Sequence, residues 1–103
     1  MAEKKTPPLA ATLRPDARTL RSDRVAGSFA VSAADEDGEF DFYYVCPCGC
    51  GAVGLLIVAA NRKPDFSPSW NWNGLVDKPT LTPSVNHVGH WHGWLRDGIW
   101  HSV

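Results

Sequence analysis

The sequence predicts an all-β domain of antiparallel strands preceded by a flexible N-terminal arm. Three observations carry that prediction. No stretch of ten or more residues repeats its apolar positions at a helical period. Several segments of strand length alternate apolar and polar residues or run apolar throughout. Turn dipeptides, Asn73-Gly74 and Asp97-Gly98, separate some of them. With 103 residues and 44% apolar residues, the chain suits one core and is too apolar to be wholly disordered.

Taken in order, residues 1–24 form the arm. They hold six basic residues against three acids, and Pro7, Pro8 and Pro15 forbid a long helix. Pro15 to Arg24 permits one short helix, since proline suits a first turn. The rest of the arm reads as solvated. Residues 25–103 form the β domain. Ser28 to Ser32 alternates, with Phe29 and Val31 on one face. AADEDG at 33–38 is an acidic turn. Glu39 to Val45 is a strand with Phe40, Phe42 and Tyr44 on one face. Ala52 to Ala60 is a continuous apolar run, which predicts a central strand buried on both faces. Ser69 to Trp72 is a short strand, and its Trp70 and Trp72 share a face that suits the core better than a base-stacking platform. KPTLTPSV at 78–85 is extended but broken by Pro79 and Pro83, an edge strand or ordered loop. Trp91 to Arg96 and Ile99 to Val103 flank Asp97-Gly98 as a type I′ hairpin. Its register opposes Arg96 to Ile99, Leu95 to Trp100 and Trp94 to His101.

Charge and hydropathy narrow the function. Net charge is −1, which disfavours a strongly basic nucleic-acid binder or an acidic nucleic-acid mimic. The apolar run 52–60 falls far short of the ~20 residues a membrane span needs. MAEKKTPP carries no apolar signal core, so the expected location is the host cytoplasm or a virion rather than the secretory route.

The cysteines and histidines are the chemical signal. Cys46, Cys48 and Cys50 are the only cysteines, and His87, His90, His92 and His101 are the only histidines. A Cys-x-Cys bridge closes too tight a ring for a good disulfide, so the cluster reads as metal-binding. Pro47 pre-sets the CPCGCG turn, and Gly49 and Gly51 let it wrap a cation. His90 and His92, two apart on a strand, project to one side. Cys46 and Cys48 with His90 and His92 then complete a tetrahedral zinc site, with Cys50 as substitute or third sulfur. His87 and His101 are spare ligands. A core of this size nets only ~3–5 kcal/mol, whereas a structural zinc contributes on the order of 10–16 kcal/mol, so the domain is expected to be zinc-stapled.

CPCGCG at 46–51, Trp70-x-Trp72-Asn73-Gly74, PTLTPSV at 79–85 and His92-Gly93-Trp94-Leu95-x-Asp97-Gly98-x-Trp100 occur in that order. Across residues 40–102 the chain resembles a small domain-of-unknown-function family of phages, prophages and bacterial operons, whose members sometimes carry an ammonia monooxygenase label. The family pattern pairs the cysteine turn with a Cys and a His just before the hairpin. His92 matches that His, and His90 stands where the Cys has no counterpart.

From these residues the expected function is a non-enzymatic, zinc-stabilised module that binds a phage or host protein, as a virion component or host-defence inhibitor. An edge strand or the arm offers a route to self-association. The alternatives are a zinc-dependent hydrolase, with His87 or His101 as base, and a single-stranded nucleic-acid binder using its tryptophans.

Overall fold

Among residues 4–103, which the computed structural model describes, the chain forms nine strands and one helix. These are β1 (Leu9–Ala10), α1 (Ala17–Asp23), β2 (Phe29–Val31), β3 (Glu39–Val45), β4 (Val53–Ala60), β5 (Trp70–Trp72), β6 (Leu81–Thr82), β7 (Val85–His87), β8 (Trp91–Arg96) and β9 (Ile99–Ser102). One sheet has the order β2-β3-β4-β5-β6 and the other β1-β9-β8-β7. Alternation along each strand sorts the side chains. Phe29, Phe42, Tyr44, Leu56, Val58, Trp72 and Leu81 from the first sheet meet Val85, Trp91, Leu95 and Trp100 from the second in one buried core. Phe29 and Phe42 stack at 5.2 Å, and Trp91 and Trp100 meet edge to face at 5.6 Å.

The β8–β9 hairpin has the register its turn dipeptide predicts, with Arg96 opposite Ile99, Leu95 opposite Trp100 and Trp94 opposite His101. Asp97 and Gly98 both adopt positive φ, 49° and 76°, as a type I′ turn requires. The tip is tied to the segment preceding β6. Gly98 N–H donates to the Pro79 carbonyl at 2.9 Å, and Asp97 N–H to Thr80 Oγ1 at 2.9 Å.

Three expectations need correction. The strands are not all antiparallel, because β4 and β5 pair in parallel, with Val58 opposite Trp70. Residues 61–69 carry the chain back along the sheet, as a parallel pair demands. Nor is β4 buried on both faces, since Leu55 is 52% exposed while Leu56 and Val58 lie inside. The second sheet covers one face of the first, and α1 covers only the β2–β3 end of the other, where Leu20 packs with Ala30 and Val45.

The third correction concerns the arm. Its residues 1–3 lie outside the described residues, but 4–24 lie along the body. β1 adds to the edge of β9, with Leu9 opposite Trp100. Thr6 N–H donates to Ser102 Oγ at 2.8 Å, and Lys4 N–H to the His90 carbonyl at 2.9 Å. α1 is capped by Asp16, which accepts from Thr19 N–H at 2.7 Å, and anchored by a fully buried Leu20. Charge and proline content hid these anchors: Leu9 and Leu20 bury apolar surface, and the backbone satisfies two open strand edges. No helix among the described residues is long and apolar enough to cross a membrane.

Candidate functional site

The turn after β3 gathers the cysteines. Cys46 N–H donates to the Ala52 carbonyl at 2.8 Å, and Gly49 N–H to the Cys46 carbonyl at 3.2 Å. Gly49 and Gly51 take φ of 86° and 82°, which a side chain would oppose. The three sulfurs consequently lie within 4.8 Å of one another, and the Cys46 thiol donates to Cys48 Sγ at 3.2 Å. Tetrahedral zinc, with Zn–S bonds of ~2.3 Å, separates its sulfurs by ~3.8 Å, inside that range. Burial pushes the Cys46 thiol up to about 12. Burial also opposes ionisation of Cys48, but hydrogen bonds to Cys46 and Cys50 and the Lys4 charge outweigh it and lower that thiol. Three sulfurs gathered this closely form a donor set that can bind a metal ion.

Tyr44 links this cluster to the β7–β8 turn. Tyr44, whose ring lies where a Cβ on Gly54 would be, reaches His87 Nδ1 with its hydroxyl at 2.9 Å. Burial, then the charges of Cys46 and Cys50, raise the Tyr44 phenol, so it stays neutral and available as a hydrogen-bond partner. His87 is held below its ordinary value by burial and by His90, whose ring stands edge-on at 5.0 Å.

His92 lies elsewhere. β8 begins at Trp91, and residues 88–90 form the turn before it, closed by His90 N–H donating to the His87 carbonyl at 2.9 Å. Strand alternation therefore governs His92 but not His90. Trp91 and Leu95 point into the core, which places His92 on the outer face, opposite Asn86. There Nε2 sits 3.0 Å from Ser84 Oγ. Ser84 lies between β6 and β7, where the chain leaves one sheet for the other. It is pinned by buried Leu81 and Val85 on either side and by the Trp70 indole N–H, which donates to its carbonyl at 3.1 Å. Both members of the pair are half-buried.

A cavity of about 280 Å³ adjoins the pair, lined by Lys4, Lys5, His92 and Val103. At this separation a neutral imidazole protonated on Nδ1 can accept a hydroxyl proton at Nε2, the arrangement that activates a serine in Ser–His pairs.

Of the residues the sequence nominated, Cys46, Cys48 and Cys50 share one centre. No histidine nitrogen joins that group. His90 stacks edge-on against His87 in the β7–β8 turn, His92 faces Ser84, and His101 stands opposite Trp94. Ser84, which the structure places against His92, is not among the residues the sequence nominated. It belongs to no G-x-S-x-G motif, and its available signal is membership of the PTLTPSV motif. Trp72 is buried in the core and Trp70 is committed to Ser84, so the pair forms no exposed stacking platform.

A family model described as bacterial ubiquitination-like system serine protease (BubE) matches residues 15–103. This overturns the expectation of a non-enzymatic, protein-binding phage accessory factor, because the family is named for a proteolytic activity. Neither the curated proteins nor the solved structures yielded a match. The match spans nearly the whole chain and includes both the cysteine turn and the Ser84–His92 pair, and the chain belongs to the BubE family of small bacterial domains.

Proposed function

We propose that this chain hydrolyses peptide bonds with Ser84 as nucleophile and His92 as general base, while a zinc ion on the cysteine turn acts as a structural staple. The observation that carries the reading is the 3.0 Å approach of Ser84 Oγ to His92 Nε2 beside an open cavity. The family description supplies the reaction class.

Ser84 Oγ attacks the scissile carbonyl carbon as its proton passes to His92 Nε2. The imidazolium then gives that proton to the leaving amine nitrogen, the C–N bond breaks, and the acyl group remains as an ester on Ser84. Water attacks the ester, His92 takes its proton, and collapse returns the proton to Oγ with release of the acid. Trp70 is a positioning residue: its grip on the Ser84 carbonyl fixes the backbone that carries Oγ.

Zinc would be held by Cys46, Cys48 and Cys50, with His90 of the β7–β8 turn as the proposed fourth ligand. It would supply folding energy rather than an activated water, since thiolate-rich four-ligand sites are closed. His92 belongs to the reaction, not to the metal.

The test is hydrolysis of a peptide pool, read by mass spectrometry, with zinc content measured in parallel. Ser84→Ala and His92→Ala are expected to lose on the order of 10³-fold or more while keeping their zinc. Hydrolysis that survives Ser84→Ala and disappears with a chelator would overturn the reading in favour of a zinc hydrolase.

A further inference from the structure

Resting on that reading of the Ser84–His92 pair, we infer that the adjoining cavity is a carboxylate-binding subsite: Lys4 and Lys5 select peptides that carry a carboxylate close to the scissile bond. His92 is itself part of the cavity wall, so whatever occupies the space lies beside the nucleophile. Two of the four described lining residues are lysines, and none of those four has an acidic side chain. Among the described residues the single ion pair is Arg14–Asp23, so neither ammonium is engaged by a carboxylate there.

The lysines are also placed rather than loose. The Lys4 amide is bonded to the His90 carbonyl, and Thr6, just beyond Lys5, is bonded to Ser102 through both its amide and its hydroxyl. Their stems therefore start from backbone fixed to the β7–β8 turn and to β9. Ammonium groups are compact charges that bind a carboxylate without demanding one orientation, and their hydrogen bonds to it are the stronger, charge-assisted kind. A peptide offers that group as a chain terminus or as an Asp or Glu side chain. The volume, about 280 Å³, is at the small end of ligand pockets. It admits one side chain or a chain end rather than a folded surface.

The test uses the full chain carrying Ser84→Ala, so that binding is read without cleavage. Anisotropy is measured with three labelled peptides of one sequence: a free C-terminus, a C-terminal amide, and the amide with one internal Glu. A carboxylate peptide is expected to bind at least about tenfold tighter than the neutral amide, with the advantage narrowing as salt is added. Adding Lys4→Gln and Lys5→Gln should reduce the advantage to less than about twofold, with zinc content and melting temperature as the check that the fold is retained. Whichever carboxylate peptide shows the advantage identifies its source. Equal binding of all three peptides, or an advantage that survives the lysine substitutions, overturns the subsite. Ser84-dependent hydrolysis by the unsubstituted chain without any carboxylate preference also overturns it and leaves the Ser–His pair standing. A lysine-dependent preference without Ser84-dependent hydrolysis overturns the hydrolase reading and leaves the anion site.

Discussion

The cysteine turn and the Ser84–His92 pair sit in one small domain and are assembled by opposite means. The turn concentrates three donors within five residues, and a short loop with two left-handed glycines brings them together. Nothing distant is needed to form it. The Ser–His pair depends on strand register. Ser84 is set by the step from one sheet to the other, and His92 by its pairing with Asn86 across the β7–β8 hairpin. The turn buries Cys46 and Cys48 and leaves Cys50 exposed, whereas the pair borders an open recess lined by two lysines. The lesson is that buried soft donors gathered locally suit a closed structural metal. A half-buried Ser–His pair held by two elements beside a cavity suits chemistry on something arriving from outside.

The comparison can be broken in several places. The largest effect is expected from Cys46→Ser with Cys48→Ser. The turn then loses its thiolates, and a metal contribution on the order of 10 kcal/mol goes with them. Elemental analysis should show zinc lost, and denaturant titration should show a chain that no longer folds cooperatively. Next comes Ser84→Ala, which should abolish peptide hydrolysis by ~10³-fold or more without moving the melting temperature.

His90 and His92 then sharpen the comparison, because they are two residues apart and assigned to different sites. His90→Ala should weaken zinc by ~10–100-fold, measured by chelator competition. His92→Ala should instead show its loss in hydrolysis. A smaller effect is expected from Trp70→Phe, which keeps the ring in the core and removes the hydrogen bond to the Ser84 carbonyl, worth ~1 kcal/mol. Its kcat should fall by about tenfold with KM little changed. Smallest is Thr80→Val, which removes the acceptor for Asp97 N–H at the hairpin tip. It should cost ~0.5–1.5 kcal/mol in denaturant titration.

What the sequence disclosed follows the same division. β3 ran from Glu39 to Val45 as its alternation indicated, and Asp97-Gly98 was enough to set the whole β8–β9 register. The cysteine cluster was visible because proximity in sequence became proximity in space. The Ser84–His92 pair was not, because His90-Trp91-His92 looks like a strand pair only if the strand includes His90. β8 starts one residue later, and the turn sends the two imidazoles to different neighbours. Ser84 sits in a proline-broken segment whose partner is decided by tertiary placement, so no local period marks it. The parallel pairing of β5 and the docking of residues 4–24 were hidden for a related reason. Both depend on which strand edges the fold leaves open, and composition does not record open edges.

The central claim, that Ser84 is the reactive group and His92 activates it, is tested most directly by a serine-directed fluorophosphonate on the zinc-loaded chain, with the adduct mapped by peptide mass spectrometry. The account predicts one adduct, on Ser84, that is lost in His92→Ala and persists in the presence of added zinc. Labelling elsewhere, or a Ser84 adduct that forms as fast without the His92 imidazole, would contradict it.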